Sequence, residues 1–98
     1  MEKRVPHCPL ERVRELAGAG RISPTTASLR GAQALDMEYP DMLAVICALE
    51  RRDFYKSMTS YADHRVWQDV YRPLTVKGYL YLKLSVVDDV LIVSFKEL

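Results

Sequence analysis

The feature that most constrains the fold is a period of two between Tyr79 and Val87. Along this segment, apolar and polar side chains alternate as YLYLKLSVV, with the leucines at every second position. Such alternation is typical of a β-strand that buries one face and exposes the other. Lys77-Gly78 before the segment and Asp88-Asp89 after it are turn sequences. The pattern therefore predicts a strand over 79–87, joined by a hairpin turn to a final strand over 90–96.

Two further strands are predicted before this hairpin. The segment Phe54–Tyr61 is polar and aromatic, and Val66–Val76 is rich in β-branched and aromatic residues. Pro73 interrupts the second of these strands. Because proline has no N–H to donate to a neighbouring strand, its position indicates a sheet edge or a bulge.

The first half of the chain predicts three helices. Apolar residues recur at helical spacing before Gly18 and Gly20, which predicts a helix over about 9–18. Ser23-Pro24 resembles an N-cap followed by proline at the first helical position, and it predicts a helix over about 24–34 that Gly31 weakens. The spacing of Met42, Val45, Ile46 and Leu49 predicts a third helix over about 40–51, with Asp41 near its start and Arg51 and Arg52 near its end, as the helix dipole favours.

Helices followed by hairpin-linked strands predict an α+β fold. We expect the helices to pack on one face of a mainly antiparallel sheet. We also expect residues 1–98 to form one domain, with a helical part over about 9–51 and a sheet part over about 53–98. A chain of 98 residues has enough length for one modest core.

Composition narrows the class of protein. The net charge is +1, but residues 1–30 and 50–83 each carry an excess of three positive charges. Cys8 and Cys47 lie far apart and have no metal-ligand spacing with a histidine pair, so we expect reduced cysteines, no metal site and no cofactor. The N-terminal segment has no apolar signal region, and no run approaches the ~20 apolar residues of a membrane span. We expect a cytoplasmic protein without a membrane partner.

The exposed face of the predicted sheet is a candidate binding site. Alternation puts Lys56 and Met58 on one side of their strand, Gln68 and Arg72 on one side of the next, and Tyr81 and Lys83 opposite the leucines of the third. Val70 has the same parity as Gln68, which indicates either a bulge or a partly apolar face. Basic and aromatic side chains in such density suit a phosphate backbone and stacked bases.

Four sequence blocks resemble a known family. They are DFYKSM at 53–58, WQDVYRP at 67–73, GYLYLKLSV at 78–86 and DVLIVSFKE at 89–97, with MEKR-x-PH at the N-terminus. Together they are similar to the MqsR family of bacterial toxins. That resemblance implies a RelE/YoeB-like fold, mRNA cleavage with a preference for GCU-type triplets, and inhibition by a cognate antitoxin. It also implies active-site roles for Lys56, Gln68 and Tyr81, with Met58, Arg72 and His7 in the surrounding pocket.

The chemistry of RNA cleavage is consistent with these residue types. The 2′-OH of RNA is itself a nucleophile, so the enzyme has to supply a base, positive charge on the phosphorane and an acid. Lys56 is expected to act either as the base, if Arg72 and burial lower its pKa, or as a cation on the phosphorane, which is the role we favour. Arg72 suits bidentate phosphate contact, Tyr81 proton donation and Gln68 hydrogen bonding.

Each of these residues also has an ordinary structural interpretation. Strand lysines and arginines are commonly solvated charges, and a strand tyrosine is commonly a packing partner. The alternative function is a catalytically silent RNA- or antitoxin-binding module that acts as a transcriptional co-regulator. We expect single-stranded mRNA and an antitoxin as partners. Contact with DNA is expected only through the antitoxin, because no helix resembles a DNA-reading element.

Overall fold

The computed structural model describes all 98 residues as three helices and a seven-stranded sheet. The strands are β1 (Glu2–Lys3), β2 (Ile22–Pro24), β3 (Phe54–Thr59), β4 (Trp67–Tyr71), β5 (Leu74–Thr75), β6 (Gly78–Val86) and β7 (Val90–Glu97). The helices are α1 (Leu10–Gly18), α2 (Thr26–Ala34) and α3 (Tyr39–Cys47). The strand order across the sheet is β1-β3-β4-β6-β7-β2, with β5 paired to β6. The predicted α+β class is confirmed.

The core lies between the helices and one face of the sheet. Leu80, Leu82 and Leu84 of β6 are at most 2% exposed and belong to one cluster of 16 buried residues. The helices contribute their apolar stripes to this cluster, including Leu16 of α1 and Ile46 of α3. The leucine alternation in the sequence therefore identifies the face of the sheet that the helices cover.

The Ser23-Pro24 prediction is wrong. Ile22–Pro24 forms β2, which runs parallel to β7 in an otherwise antiparallel sheet. The helix begins two residues later, where the Thr25 side chain accepts a hydrogen bond from the Ser28 N–H at 3.1 Å. Ser23 and Thr25 are both suitable N-cap residues. Thr25 is the N-cap in the structure, because the pairing of Ile22–Pro24 with β7 keeps Ser23 in a strand.

The third helix is shorter than its predicted range of 40–51. It ends at Cys47, and Arg51 and Arg52 lie in a separate single turn of 3₁₀ helix over Arg51–Asp53. The prediction that the two arginines lie at the end of α3, where its dipole favours them, is therefore wrong. The N–H of Glu50 donates to the Asp53 carboxylate at 2.8 Å, which stabilises this separate turn.

The predicted strand over 66–76 is interrupted near Pro73, because β4 ends at Tyr71 and β5 begins at Leu74. β4 is an internal strand without a bulge of its own, so the interruption is a break between two strands. The chain continues into β5, a two-residue strand that pairs only with β6 and lies off the main path of the sheet. β1 was not predicted, because two residues carry no periodicity. None of the three helices has the length and apolar character to span a bilayer.

Candidate active site

Strand register brings most of the predicted site residues onto one face. We call the sheet face opposite the helices the open face. Directly paired residues of antiparallel strands lie on the same face. The pairs that define the open face are Glu2–Met58, Met58–Gln68, Gln68–Ser85, Lys56–Val70, Val70–Lys83, Lys83–Ser94 and Tyr81–Lys96. Lys56, Met58, Gln68, Tyr81 and Lys83 therefore share one surface, as the alternation predicted.

The centre of the open face is apolar. Val70 is fully buried, although it is not part of the core cluster beneath the helices. It lies between Lys56 and Lys83 in the register. β4 contains no register shift at this point, so the partly apolar face, one of the two predicted alternatives, explains its parity.

A bulge in β3 adds an aromatic ring to the site. The register shifts between Phe54 and Lys56, which leaves Tyr55 without a strand partner. The guanidinium carbon of Arg72 lies 3.5 Å from the centre of the Tyr55 ring, and Lys56 Nζ lies 5.5 Å from it. Arg4 approaches the same ring at 5.6 Å. Tyr55 therefore connects Arg72 to the open face, and the alternation analysis missed it because a bulge interrupts the period of two.

Arg72 retains an unused donor. Its Nε is buried and has no hydrogen-bond acceptor in the structure. Its backbone N–H donates to the Asp53 carbonyl oxygen at 2.7 Å, which fixes the start of the side chain. The Arg72 guanidinium packs over the Tyr55 ring, and this contact keeps its planar set of donors pre-organised for an oxyanion. This arrangement suits a phosphate ligand.

Lys56 is held as a cation. Its Nζ lies 2.7 Å from Oε2 of Glu2, and its side chain is only 18% exposed. The hydrogen bond to Glu2 raises the pKa of Lys56, and the charge of Glu2 acts in the same direction. Lys56 is therefore poorly suited to accept a proton, which favours the cationic alternative. Glu2 was not predicted as a site residue, since its strand is too short to be detected in the sequence.

Lys83 differs from Lys56 in its surroundings. Burial lowers the pKa of Lys83, and the positive charges of Lys96 and Lys56 lower it further. Lys96 is a third residue that was not predicted, after Tyr55 and Glu2, although the alternation of Ser94, Phe95 and Lys96 could have identified it. Lys96 Nζ and Lys83 Nζ lie 5.3 Å and 6.0 Å from the centre of the Tyr81 ring.

His7 lies apart from the other predicted residues. Its ring stacks on Trp67 at a centroid distance of 5.8 Å, and Trp67 has the opposite parity from Gln68. The backbone N–H groups of His7 and Cys8 donate to the buried carboxylate of Asp69 at 2.9 Å and 3.0 Å. The structure thus brings His7 to the helix-covered side of the sheet, and a role for it in RNA binding stays a prediction.

The open face is a surface rather than a closed pocket. A cavity of about 790 Å³ lies between α3 and the β5–β6 turn, and Arg72 is one of its lining residues. Lys56, Gln68 and Tyr81 do not line this cavity. Drug-sized ligands usually bind in enclosed pockets, whereas single-stranded RNA is commonly bound across an open sheet. The geometry of the site therefore suits an extended ligand.

Comparison with known proteins identifies the family. Residues 5–97 match the sequence profile of the family described as "Motility quorum-sensing regulator, toxin of MqsA". Because the match covers nearly the whole chain, the protein belongs to this toxin family. A relative is the mRNA interferase toxin MqsR of Escherichia coli (strain K12), which is 53% identical over 97 residues, covering 99% of each chain. The resemblance inferred from the sequence is confirmed.

Proposed function

We propose that this protein is an mRNA interferase, the toxin of a type II toxin–antitoxin pair. It would cut single-stranded mRNA at GCU-type sites without a metal ion, using the RNA 2′-OH as the nucleophile, and residues 1–98 would act as a single toxin domain. The proposal rests on one observation: four cationic side chains lie on or beside the open face, around one amide and one phenol. The cations are Lys56, Arg72, Lys83 and Lys96, and the neutral donors are Gln68 and Tyr81.

The electrostatics of the open face support binding of a polyanion. Glu2 is the one carboxylate among the strand residues of this face, so positive charge dominates there although the whole chain carries only +1. Phosphate contacts hold an RNA strand in place, and splayed bases are then read by side chains along their edges. Met58 lies directly between Glu2 and Gln68 in the register, where it would contact a base.

The proposed roles follow from the charge state of each group. Lys56 and Arg72 would stabilise the negative charge of the phosphorane, because Glu2 holds Lys56 as a cation and the Tyr55 ring positions the Arg72 guanidinium. Gln68 would orient the phosphate by hydrogen bonding. Tyr81, flanked by Lys83 and Lys96, would donate a proton to the leaving 5′-oxygen.

The antitoxin would be a separate protein that forms a stable complex with this chain. The family description names its members as the toxin of MqsA, and the relative is named a toxin. The exposed apolar residues Leu74, Val76 and Tyr79 at the β5–β6 turn offer part of such an interface. Toxin and antitoxin co-expressed and separated by size exclusion at micromolar concentration should elute as one peak. Two separate peaks would contradict this part of the proposal.

A cleavage assay tests the function. Purified protein is incubated in EDTA with a defined GCU-containing RNA, and the product ends are identified. We expect a 2′,3′-cyclic phosphate and a loss of ~10²–10³ in rate for Lys56→Ala and Tyr81→Phe. Lys77→Ala, an exposed lysine in the β5–β6 turn, is the matched control and should cleave normally. If neither naked RNA nor mRNA on translating ribosomes is cut, the silent binding module becomes the better interpretation.

A further inference from the structure

Glu2 is held over the open face by a network that includes the chain terminus. The N-terminal amino group donates to Thr59 Oγ1 at 3.1 Å, and the Met1 carbonyl oxygen accepts from the Thr59 N–H at 3.0 Å. β1 then pairs antiparallel with β3, placing Glu2 opposite Met58. The Glu2 side chain is 52% exposed, and one of its oxygens bonds Lys56 at 2.7 Å. A carboxylate is therefore fixed beside the proposed phosphorane-binding cation and remains accessible to a ligand.

Apart from Glu2, the open face offers no carboxylate or imidazole as a proton acceptor, because His7 lies on the other side of the sheet with Asp69 and Trp67. Lys56 has a raised pKa, and Arg72 and Lys96 are cations. Lys83 has a lowered pKa, but its Nζ lies 6.0 Å from the centre of the Tyr81 ring, which places it beside the proposed acid rather than beside the 2′-OH. Gln68 is not basic, and Tyr81 is needed in its protonated form as the acid. Lys56 also lowers the pKa of Glu2, chiefly through their hydrogen bond, which favours the ionised carboxylate that can accept a proton and at the same time weakens it as a base.

We propose that the Glu2 carboxylate is the general base of the cleavage, an assignment that rests on the ribonuclease function proposed above. The 2′-OH proton passes to a Glu2 oxygen as the 2′-oxygen bonds to phosphorus. The bond between phosphorus and the 5′-oxygen then breaks, and the 5′-oxygen takes the proton of Tyr81. The products are a 2′,3′-cyclic phosphate and a 5′-hydroxyl. Proton exchange with solvent returns both side chains to their starting states.

The test compares Glu2→Gln with the wild-type protein on the GCU-containing RNA. Any tag is placed at the C-terminus, because the N-terminal amino group takes part in holding β1. General acid–base catalysis contributes about 10²–10⁴ in rate, so we expect kcat to fall by at least ~10². Glu97→Gln is the control, because it removes an exposed carboxylate that is not on the open face. Glu97 is paired in the strand register with Leu80, a residue of the core face, so this variant should keep wild-type activity.

A binding measurement separates a base from a structural group. RNA with a 2′-deoxy sugar at the cleavage site has no nucleophile, so it reports binding alone. Glu2→Gln should bind this analogue at least as tightly as the wild type, since the substitution removes negative charge near phosphate. Weaker binding in parallel with lost cleavage would show that Glu2 only maintains the surface, which overturns the assignment.

The remaining outcomes are also decisive. Unchanged cleavage by Glu2→Gln would show that the Glu2–Lys56 contact is only an exposed ion pair, which refutes the assignment. Faster cleavage would mean that Glu2 competes with the substrate for Lys56, which also refutes it. In both cases the ribonuclease function itself stands, because the RNA is cut. If the wild-type protein leaves RNA intact both naked and on ribosomes, the proposed function and the assignment fail together.

Discussion

Among the four glycines, Gly31 is the one where an added methyl group meets neighbouring atoms. It lies within α2, where the helix packs against β7. A Cβ atom built at Gly31 would lie 1.9 Å from the Phe95 carbonyl oxygen and 3.3 Å from Lys96 Cβ. The first contact is with backbone, so no rotation of a side chain relieves it. Gly31→Ala therefore requires α2 and β7 to move apart.

The magnitude follows from two opposing effects. Alanine is favoured over glycine in a helix interior by about 1 kcal/mol. Overpacking a core contact costs about 1–3 kcal/mol, and a clash with fixed backbone belongs at the upper end of that range. The expected net loss is about 2 kcal/mol in the free energy of unfolding. For a domain of this size, that corresponds to a fall of about 8–16 °C in Tm.

Thermal and denaturant unfolding measure the effect against a matched control. The control is Gly18, the last residue of α1. A Cβ atom built at Gly18 meets no other atom within 4 Å. Gly18→Ala should be neutral or up to about 1 kcal/mol more stable. If Gly31→Ala proves as stable as Gly18→Ala, the close approach of α2 to β7 is refuted. Phe95 is the neighbour of Lys96 in β7, and Lys96 lies on the open face, so a shift of β7 would move Lys96. Gly31→Ala should therefore also reduce RNA cleavage by the folded protein.

Three further perturbations test other parts of the structure. Tyr71 has a buried hydroxyl with no hydrogen-bond partner, so Tyr71→Phe should raise the unfolding free energy by about 1 kcal/mol in urea titration; a loss would reveal a partner. Asp69→Asn replaces one of two acceptor oxygens by an NH₂ group that faces a backbone N–H, so it should lower the free energy of unfolding by about 2–3 kcal/mol in the same titration. An unchanged urea midpoint would contradict the hydrogen bonds from His7 and Cys8 to Asp69. In the proposed site, Lys83 would contact phosphate only while charged, so cleavage should fall as pH rises through its lowered pKa. Lys83→Arg should extend activity to higher pH, and identical alkaline limbs of the two pH profiles would exclude Lys83 as the titrating group.

Much of the sheet could be predicted because its signals are local. The alternation from Tyr79 onward and the turn at Asp88-Asp89 identified β6, β7 and the leucine face without knowledge of any distant contact. The same parity placed Lys56, Gln68 and Tyr81 on one surface, which the register of β3, β4 and β6 bears out. A period of two fixes which face a side chain occupies once the strand is known.

The rest depended on contacts between segments distant in sequence. β1 and β2 exist only because β3 and β7 offer free edges, so neither strand has a pattern of its own. The bulge that brings Tyr55 to Arg72, and the salt bridge across 54 residues from Glu2 to Lys56, likewise have no local signal. The sequence by itself determined the α+β class, the buried face and the set of polar residues opposite it. Only the tertiary structure decided the charge state of Lys56 and the separation of His7 from the site, because pKa values and proximity depend on neighbours that the fold supplies.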